Sequence, residues 1–441
     1  MSTSITNGVL SAVADRRTKD LRYRQRQLIS LHRWLSENHA ELESATREDN
    51  GLSAAETHFI VASGLDALRQ NYDSLDLKRE LAIEFRIKNG QDNIERRLSE
   101  DIVYVIPDNF TLFYSVMTAL CAAVAAGSCC VIELSNDLRR TSGLMQKMVF
   151  QSLDNLSFVT TMTRPENDFL RKCVVLDQQN CVSPTQAPWL IRSQVTMAAV
   201  VIVDRTADVA SAAKVVAMST VLFGGNGPYA PSCILVNEFV EEDFSRLFYQ
   251  YASAIRHQAV TVDVVRKDNT EGPALLAISS LDDAIDLVSL RISQPLLALY
   301  VFGDPKPTKY LAQFIRNDAT FVNHIPSNLL VGPPAPSGYP VSPVARYRRE
   351  MLEFPSPQFV HSTPGSIPVH ALANNDSTAA DRLLAASLRP LKPMGQPREG
   401  DMNFFVQGLK ASFALYIYLP LTIAAGGILG YGARSAYRYL R

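Results

Sequence analysis

The chain reads as an α/β protein with mostly parallel sheets covered on both faces, followed by a membrane segment. Three observations predict this. From residue 101 onward, short apolar and β-branched runs alternate with helical ones. The strand-like runs are apolar throughout rather than alternating, the pattern of strands buried on both faces. Near the end, from Ala411 to Ala433, no charged residue occurs.

The elements follow in order. Residues 8–48 mix charge with Leu21, Leu28, Leu31, Trp34 and Leu42, which predicts a helix that Asp49, Asn50 and Gly51 end. A second helical stretch covers 53–86. DIVYVIPD (101–108) predicts a strand, SVMTALCAAVAAG (115–127) a helix closing on Gly127, and CCVIELS (129–135) a second strand. QKMVFQSLDN (146–155) is helical. AAVVIVDRTAD (198–208) is a strand leading into the helix VASAAKVVAMSTVLF (209–223). CILVNEF (233–239) is a strand before the helix 241–257, and the helix 280–291 precedes the strand LLALYVFG (296–303). The Pro-rich stretch 332–343 must be a loop or an extended arm, and 366–408 reads as a spacer with one short helix near 376–388.

The uncharged run of 23 residues spans roughly 34 Å as a helix, enough for a bilayer core of about 30 Å. Lys410 precedes it, and Arg434, Arg438 and Arg441 follow. Pro420 within it would kink a helix, which membrane helices tolerate, and Gly426 and Gly430 give a GxxxG spacing. The first twenty residues hold no apolar stretch long enough for a signal peptide. The expectation is a single-pass C-terminal anchor with the body in the cytosol, on the endoplasmic reticulum, with peroxisome and mitochondrial outer membrane as alternatives. The competing reading of the run is a buried C-terminal helix.

Composition narrows the function classes. Lys and Arg total 43 against 44 Asp and Glu, so the net charge of −1 leaves no footprint for nucleic acid. Six cysteines in 441 residues are too few for a disulfide scaffold. The seven histidines show no metal-ligand spacing, and no phosphate-binding loop, GxSxG or HExxH segment occurs. Arg346, Arg348 and Arg349 form a short basic cluster expected on a solvated face.

Four blocks then stand out in order: RYRQRQLISLHRWL (22–35), AAGSCCVIELSN (125–136), AVVIVDRTADV (199–209) and SLDDAIDLVSLRISQPLLALYVF (280–302). Over about residues 10–365 the chain resembles the aldehyde dehydrogenase superfamily, in particular its class 3 or fatty aldehyde branch, whose members often carry a C-terminal membrane helix. The resemblance implies a Rossmann-like coenzyme domain over 1–196, an α/β catalytic domain over 197–330 and a returning oligomerisation arm over 331–365. A linker over 366–408 and a transmembrane helix over 409–433 complete the expectation. The stretch between the helix 241–257 and NTEGP (269–273) is much shorter than in the family, so the catalytic domain is expected to be partly deleted.

The family's chemistry is thiolate attack on an aldehyde, hydride transfer to NAD(P), and hydrolysis of the thioester. The resemblance places its functional positions residue by residue. The nucleophile position holds Pro228, which offers neither thiol nor N–H, so an oxyanion donor is lost with it. Cys233, five residues on, reads as a small buried residue, with a relocated nucleophile as the alternative. The general base position holds Gln194, whose amide accepts no proton at neutral pH. For the second oxyanion donor the candidate is Asn109, although a gapless count puts Phe110 there. Glu133 replaces the lysine that meets the adenosine ribose, and Asn269 replaces the glutamate of the nicotinamide ribose. The stretch 174–190, where the family brings a glycine turn to the pyrophosphate, contains no glycine. His324 lies in a segment that lines the substrate side in the family, and reads more simply as a loop histidine.

Two functions follow. One is a membrane-anchored, catalytically degenerate homologue that binds a partner enzyme, a dimer mate or a hydrophobic ligand, with no cofactor. The other is an oxidoreductase using NAD(P) on a hydrophobic or fatty aldehyde, in lipid or specialised-metabolite biosynthesis.

Overall fold

Two five-stranded sheets, parallel throughout, frame the molecule in the computed structural model. It describes residues 2–93, 95–135, 137–259, 273–292, 295–342, 345–356, 366–375, 377–392 and 404–418. The chain forms two compact units, Met1–Phe359 and Val360–Arg441.

The strands are β1 (Arg97–Ser99), β2 (Ile102–Ile106), β3 (Cys129–Glu133), β4 (Phe158–Thr161), β5 (Val174–Asp177) and β6 (Leu190–Arg192). They continue as β7 (Ala199–Val203), β8 (Cys233–Asn237), β9 (Ala274–Ile278), β10 (Ala298–Phe302), β11 (Thr320–Val322) and β12 (Glu353–Pro355). The first sheet runs β4-β3-β2-β5-β6 and the second β11-β10-β7-β8-β9. Register is set by pairs such as Val103 with Cys130 and Val174, and Val201 with Tyr300 and Ile234. The strands β2, β7, β8 and β10 are buried at every position, as their unbroken apolar sequences require. A separate antiparallel pair joins β1 to β12.

The helices of the first unit are α1 (Ser2–Ala14), α2 (Leu21–Asn50), α3 (Ala54–Asp73), α4 (Leu77–Lys88), α5 (Leu112–Ala126), α6 (Arg140–Ser152) and α7 (Asn167–Leu170). After them come α8 (Val209–Val221), α9 (Glu241–Ala259), α10 (Leu281–Arg291) and α11 (Pro305–Phe314). All of α5 is buried, because it is apolar on every side. Gly127 ends it with φ +89, where a side chain would meet the Thr18 carbonyl at 2.8 Å. Arg24 ties the start of α2 to this end, donating to the carbonyls of Thr18, Lys19 and Ala125. Leu28, Leu31 and Leu35 of α2 then fall on one face and enter the core.

The Pro-rich stretch is irregular, as expected, but half of it is interior. Val331, Gly332, Pro333, Pro334, Ala335 and Pro336 are all buried. The basic cluster needs correction for the same reason. Only Arg348 is exposed; Arg346 is 1% exposed and Arg349 is held by Glu80 and Glu353. Buried backbone carbonyls, invisible as a sequence pattern, draw Arg346 inside.

In the second unit the spacer contains helices Val369–Ala373 and Ser377–Ser387, and Phe404–Phe413 leads into a π-helical turn Ala414–Tyr418. Among the described residues no helix is long and apolar enough to cross a membrane, and residues 419–433 of the expected span lie outside them.

Candidate functional site

The turn that follows α8 is shaped by three successive left-handed residues, Phe223 (φ 54), Gly224 (φ 71) and Gly225 (φ 68). A bulky residue in this region is strained and needs support. Glu56 provides it: its Oε1 accepts the Phe223 N–H at 2.7 Å, and the Phe59 ring lies 6.1 Å from that of Phe223. Asn226 and Gly227 then bring the chain to Pro228.

This turn is closed by main chain and rings. A Cβ placed on Gly227 would lie 2.7 Å from the Leu330 carbonyl oxygen and 3.6 Å from the Phe110 ring. The Phe110 ring therefore lies against Gly227, the residue before the position aligned with the family's nucleophile. The Asn109 side chain turns toward Ser135, whose hydroxyl lies 3.5 Å away, while its carbonyl accepts from Arg139 at 2.7 Å. On the other side Gly332 packs against Tyr114, leaving 2.3 Å to the ring for any added Cβ.

The segment 328–336 is locked in place by Arg346. Its guanidinium donates to the carbonyls of Asn328, Leu329, Val331, Pro333 and Ser342 at 2.9–3.0 Å, and its centre stands 5.1 Å over the Tyr229 ring. The fork geometry of arginine suits this cage, since it has five N–H donors and no acceptor. Tyr229 accepts from Ala335 N at its hydroxyl and from the Tyr300 hydroxyl at its carbonyl, both at 3.0 Å. Ser193 donates to the Pro334 carbonyl at 2.8 Å, and Thr118 Oγ1 accepts both Arg346 N and Tyr347 N.

Cys233 opens β8 and joins the face of the second sheet that carries Val200, Leu235 and Ile278, whereas Tyr229, Leu329 and Leu330 belong to the core on the other face. Burial pushes its thiol up, away from the thiolate a nucleophile needs.

Gln194 is half-buried and lines a cleft of about 490 Å³ together with Thr196, Met197, Arg316, Asp318 and Ser337. Pro228, Cys233 and Asn109 are not among its lining residues. Among the described residues, this cleft therefore takes in the position aligned with the base and not those aligned with the nucleophile and the oxyanion donor.

The coenzyme side is equally occupied. Glu133 ends β3 with its carboxylate held by Arg164 at 2.9 and 3.0 Å and by the Tyr104 hydroxyl at 2.6 Å. In the strand order, connections leave β2 toward β3 on one side and β5 toward β6 on the other, so the ligand crevice of such a sheet lies between the carboxyl ends of β2 and β5. Here that crevice is stitched shut. Gln178 accepts Asp108 N and donates to the Ser115 carbonyl, and Gln179 donates to the Pro107 carbonyl at 2.7 Å. Asn180 takes the left-handed conformation (φ 58) that a glycine would otherwise supply, and the buried Asp177 caps the loop through Val182 N at 2.8 Å. No helix stands between β5 and β6 to point an N-terminus at a pyrophosphate. These residues do not fit a dinucleotide. Asn269 lies outside the described residues.

Two further observations complete the inventory. His324 is exposed and bonded only within its loop, at 2.9 Å from the Val322 carbonyl oxygen. No group of three or more His, Cys, Asp or Glu among the described residues could hold a metal. Neither the Arg346 cage nor the glutamine stitches has a sequence pattern of its own; Pro-rich chain running into the arginine cluster is the one signal for the former.

Against known proteins, the fold has clear parallels. AldH of Staphylococcus aureus superposes with a TM-score of 0.65 at 16% identity, over 88% of this chain and 99% of that one. Glyceraldehyde-3-phosphate dehydrogenase of Methanocaldococcus jannaschii superposes with a TM-score of 0.61 at 13% identity, over 80% of this chain and 92% of that one. In sequence, 154 residues are 25% identical to aldehyde dehydrogenase family 3 member B2 of Mus musculus. That match covers 34% of this chain and about a third, 32%, of the relative's length. No family model matches the chain.

Proposed function

We propose that this chain, which carries the fold of the aldehyde dehydrogenases, acts as a membrane-tethered binding protein in place of a dehydrogenase. It would hold a partner enzyme, a second copy of itself or a hydrophobic ligand at the membrane. One observation carries the reading: at the turn Gly227–Pro228 a proline stands where a thiolate and an amide N–H are needed, and the Leu330 carbonyl and Phe110 ring fill the space beside it. The closed coenzyme crevice agrees with it. So does Gln194, which cannot take a proton from water. Tethering is supported by the exposed apolar side chains Leu409, just before the uncharged run, and Phe413, Leu415, Tyr416 and Ile417 in its first turns.

The fold itself favours a second reading, an oxidoreductase that oxidises a hydrophobic aldehyde with Cys233 as nucleophile and NAD(P) as acceptor. Titrating NAD and NADP against the purified body, residues 1–408, separates the two. The expected result is an unchanged melting temperature, no oxidation of medium- or long-chain aldehydes, and no effect of Cys233→Ala. Saturable stabilisation at physiological cofactor concentrations overturns the binding reading, because a ligand of the native state must raise its melting point. For the tether, deleting residues 409–441 should release the protein from membranes; pelleting that survives the deletion contradicts the anchor.

A further inference from the structure

The cleft beside Gln194 is lined by two opposite charges that no ion pair or side-chain hydrogen bond among the described residues engages. It opens at the amino ends of β7, β10 and β11. Arg316 and Asp318 sit on the segment that enters β11, and this segment is fixed without them. Leu296 N donates to the Arg316 carbonyl at 3.0 Å, and Asp318 N donates to the Leu296 carbonyl at 2.9 Å. Asn317 between them is committed through its own side chain, which donates to the Ile315 carbonyl and accepts from Thr320. No ion pair or side-chain hydrogen bond among the described residues uses the guanidinium of Arg316 or the carboxylate of Asp318. Gln194 and Thr196 add polar residues to the lining, and Met197 an apolar one.

This pattern discriminates among ligands. An anion alone would sit beside the Asp318 carboxylate, and a cation alone beside the Arg316 guanidinium. An uncharged hydrophobic molecule would desolvate both charges and pair neither, which is costly. A molecule carrying both charges satisfies both at once. The volume, about 490 Å³, lies in the range of small-molecule clefts. We propose that the cleft binds a small zwitterion of amino-acid type, its carboxylate on Arg316 and its ammonium on Asp318, with the connecting chain along Met197. Burial raises the Asp318 carboxyl while the neighbouring Arg316 lowers it, so a ligand ammonium would add a second favourable charge beside a carboxylate that makes no hydrogen bond of its own among the described residues. The site goes beyond the binding function proposed above: Gln194, at the position aligned with the base, lines it, whereas Pro228 and Cys233 do not.

Calorimetric titration of the full-length protein tests this with glycine, 4-aminobutanoate and 6-aminohexanoate as probes, and butanoate and butylamine as single-charge controls. At least one zwitterion should bind saturably about tenfold more tightly than either control. Arg316→Gln and Asp318→Asn should each weaken that zwitterion about tenfold while leaving the melting temperature of the free protein unchanged, because both side chains are exposed. The site is refuted if no zwitterion binds below about 10 mM, if a control binds equally well, or if either substitution leaves the affinity intact. None of these outcomes bears on NAD(P) binding or aldehyde oxidation, so the two proposals fail separately.

Discussion

Arg346 decides how the centre of the molecule is built. Five carbonyl oxygens converge on one guanidinium, with a tyrosine face in place of a carboxylate. Lysine has three donors on a point charge and cannot reproduce the fork. Arg346→Lys should therefore destabilise the protein by about 3 kcal/mol or more, read as a fall in melting temperature, because buried carbonyls lose their partners. A loss below about 1 kcal/mol would mean that water replaces the missing donors. Asp108 offers a test by pH. Burial raises its carboxyl despite bonds from the Asn109 and Phe110 amides and the nearby Arg139 cation. A folded value above the unfolded one means that the protonated form is favoured on folding. That contribution is full below about pH 3.9, the unfolded value, and is lost as pH rises through the folded value. Asp108→Asn should accordingly raise the melting temperature at pH 7, and the gain should shrink as the pH is lowered toward 4. Residue identity alone made the proline and the glutamine at positions 228 and 194 legible as departures from the family pattern. It could not place Arg346, because three arginines in four positions look like a solvated face until the carbonyls around them are known.

Elements were legible where one signal dominated. The uncharged sequence of α5, the Gly127 stop and the apolar strands β2, β7, β8 and β10 all formed as expected. The strands β4, β5, β6 and β11 were not singled out, because three or four residues carry too little periodicity to separate them from loop, and the five-residue β9 was not singled out either. Two helix breaks were also missed. Neither has a glycine or proline; Asp20 starts α2 by accepting Arg22 N, and Asp76 starts α4 by accepting Lys78 N and Arg79 N. At the start of α3 the cap has a second duty. Ser53 and Glu56 form a capping box, and the same Glu56 carboxylate supports the strained Phe223. Glu56→Ala should thus cost about 2 kcal/mol, more than a cap alone, and Glu56→Gln, which keeps an acceptor oxygen, should restore most of it. Equal losses in chemical denaturation would show that charge and not the acceptor matters.

At the scale of the molecule, ordered blocks of sequence were enough to indicate the aldehyde dehydrogenase fold, since strand order and helix spacing persist when site residues change. The condition of the site was only half legible. Replacement of named residues can be read one by one, whereas closure depends on segments from residues 110, 227 and 330 meeting in space. The arm also carries an expectation about assembly. The sheet β1–β12 has two strands and carries the exposed Phe354. A pair of strands alone is marginal in water. We expect light scattering to show a dimer built on this arm, and Phe354→Glu to shift it toward monomer; an unchanged mass would place the contact elsewhere.

The cage around Arg346 also bears on how the chain folds in time. It joins α5 to the returning arm through Thr118, across 228 residues of intervening sequence, and takes in Tyr229 between them. Contacts this remote carry the greatest loop-closure cost and form late, after local helices and neighbouring strands. The arm should therefore settle onto a nearly finished body. Damage to the cage should accelerate unfolding and leave refolding almost untouched, so that the cage acts as a kinetic latch on the native state.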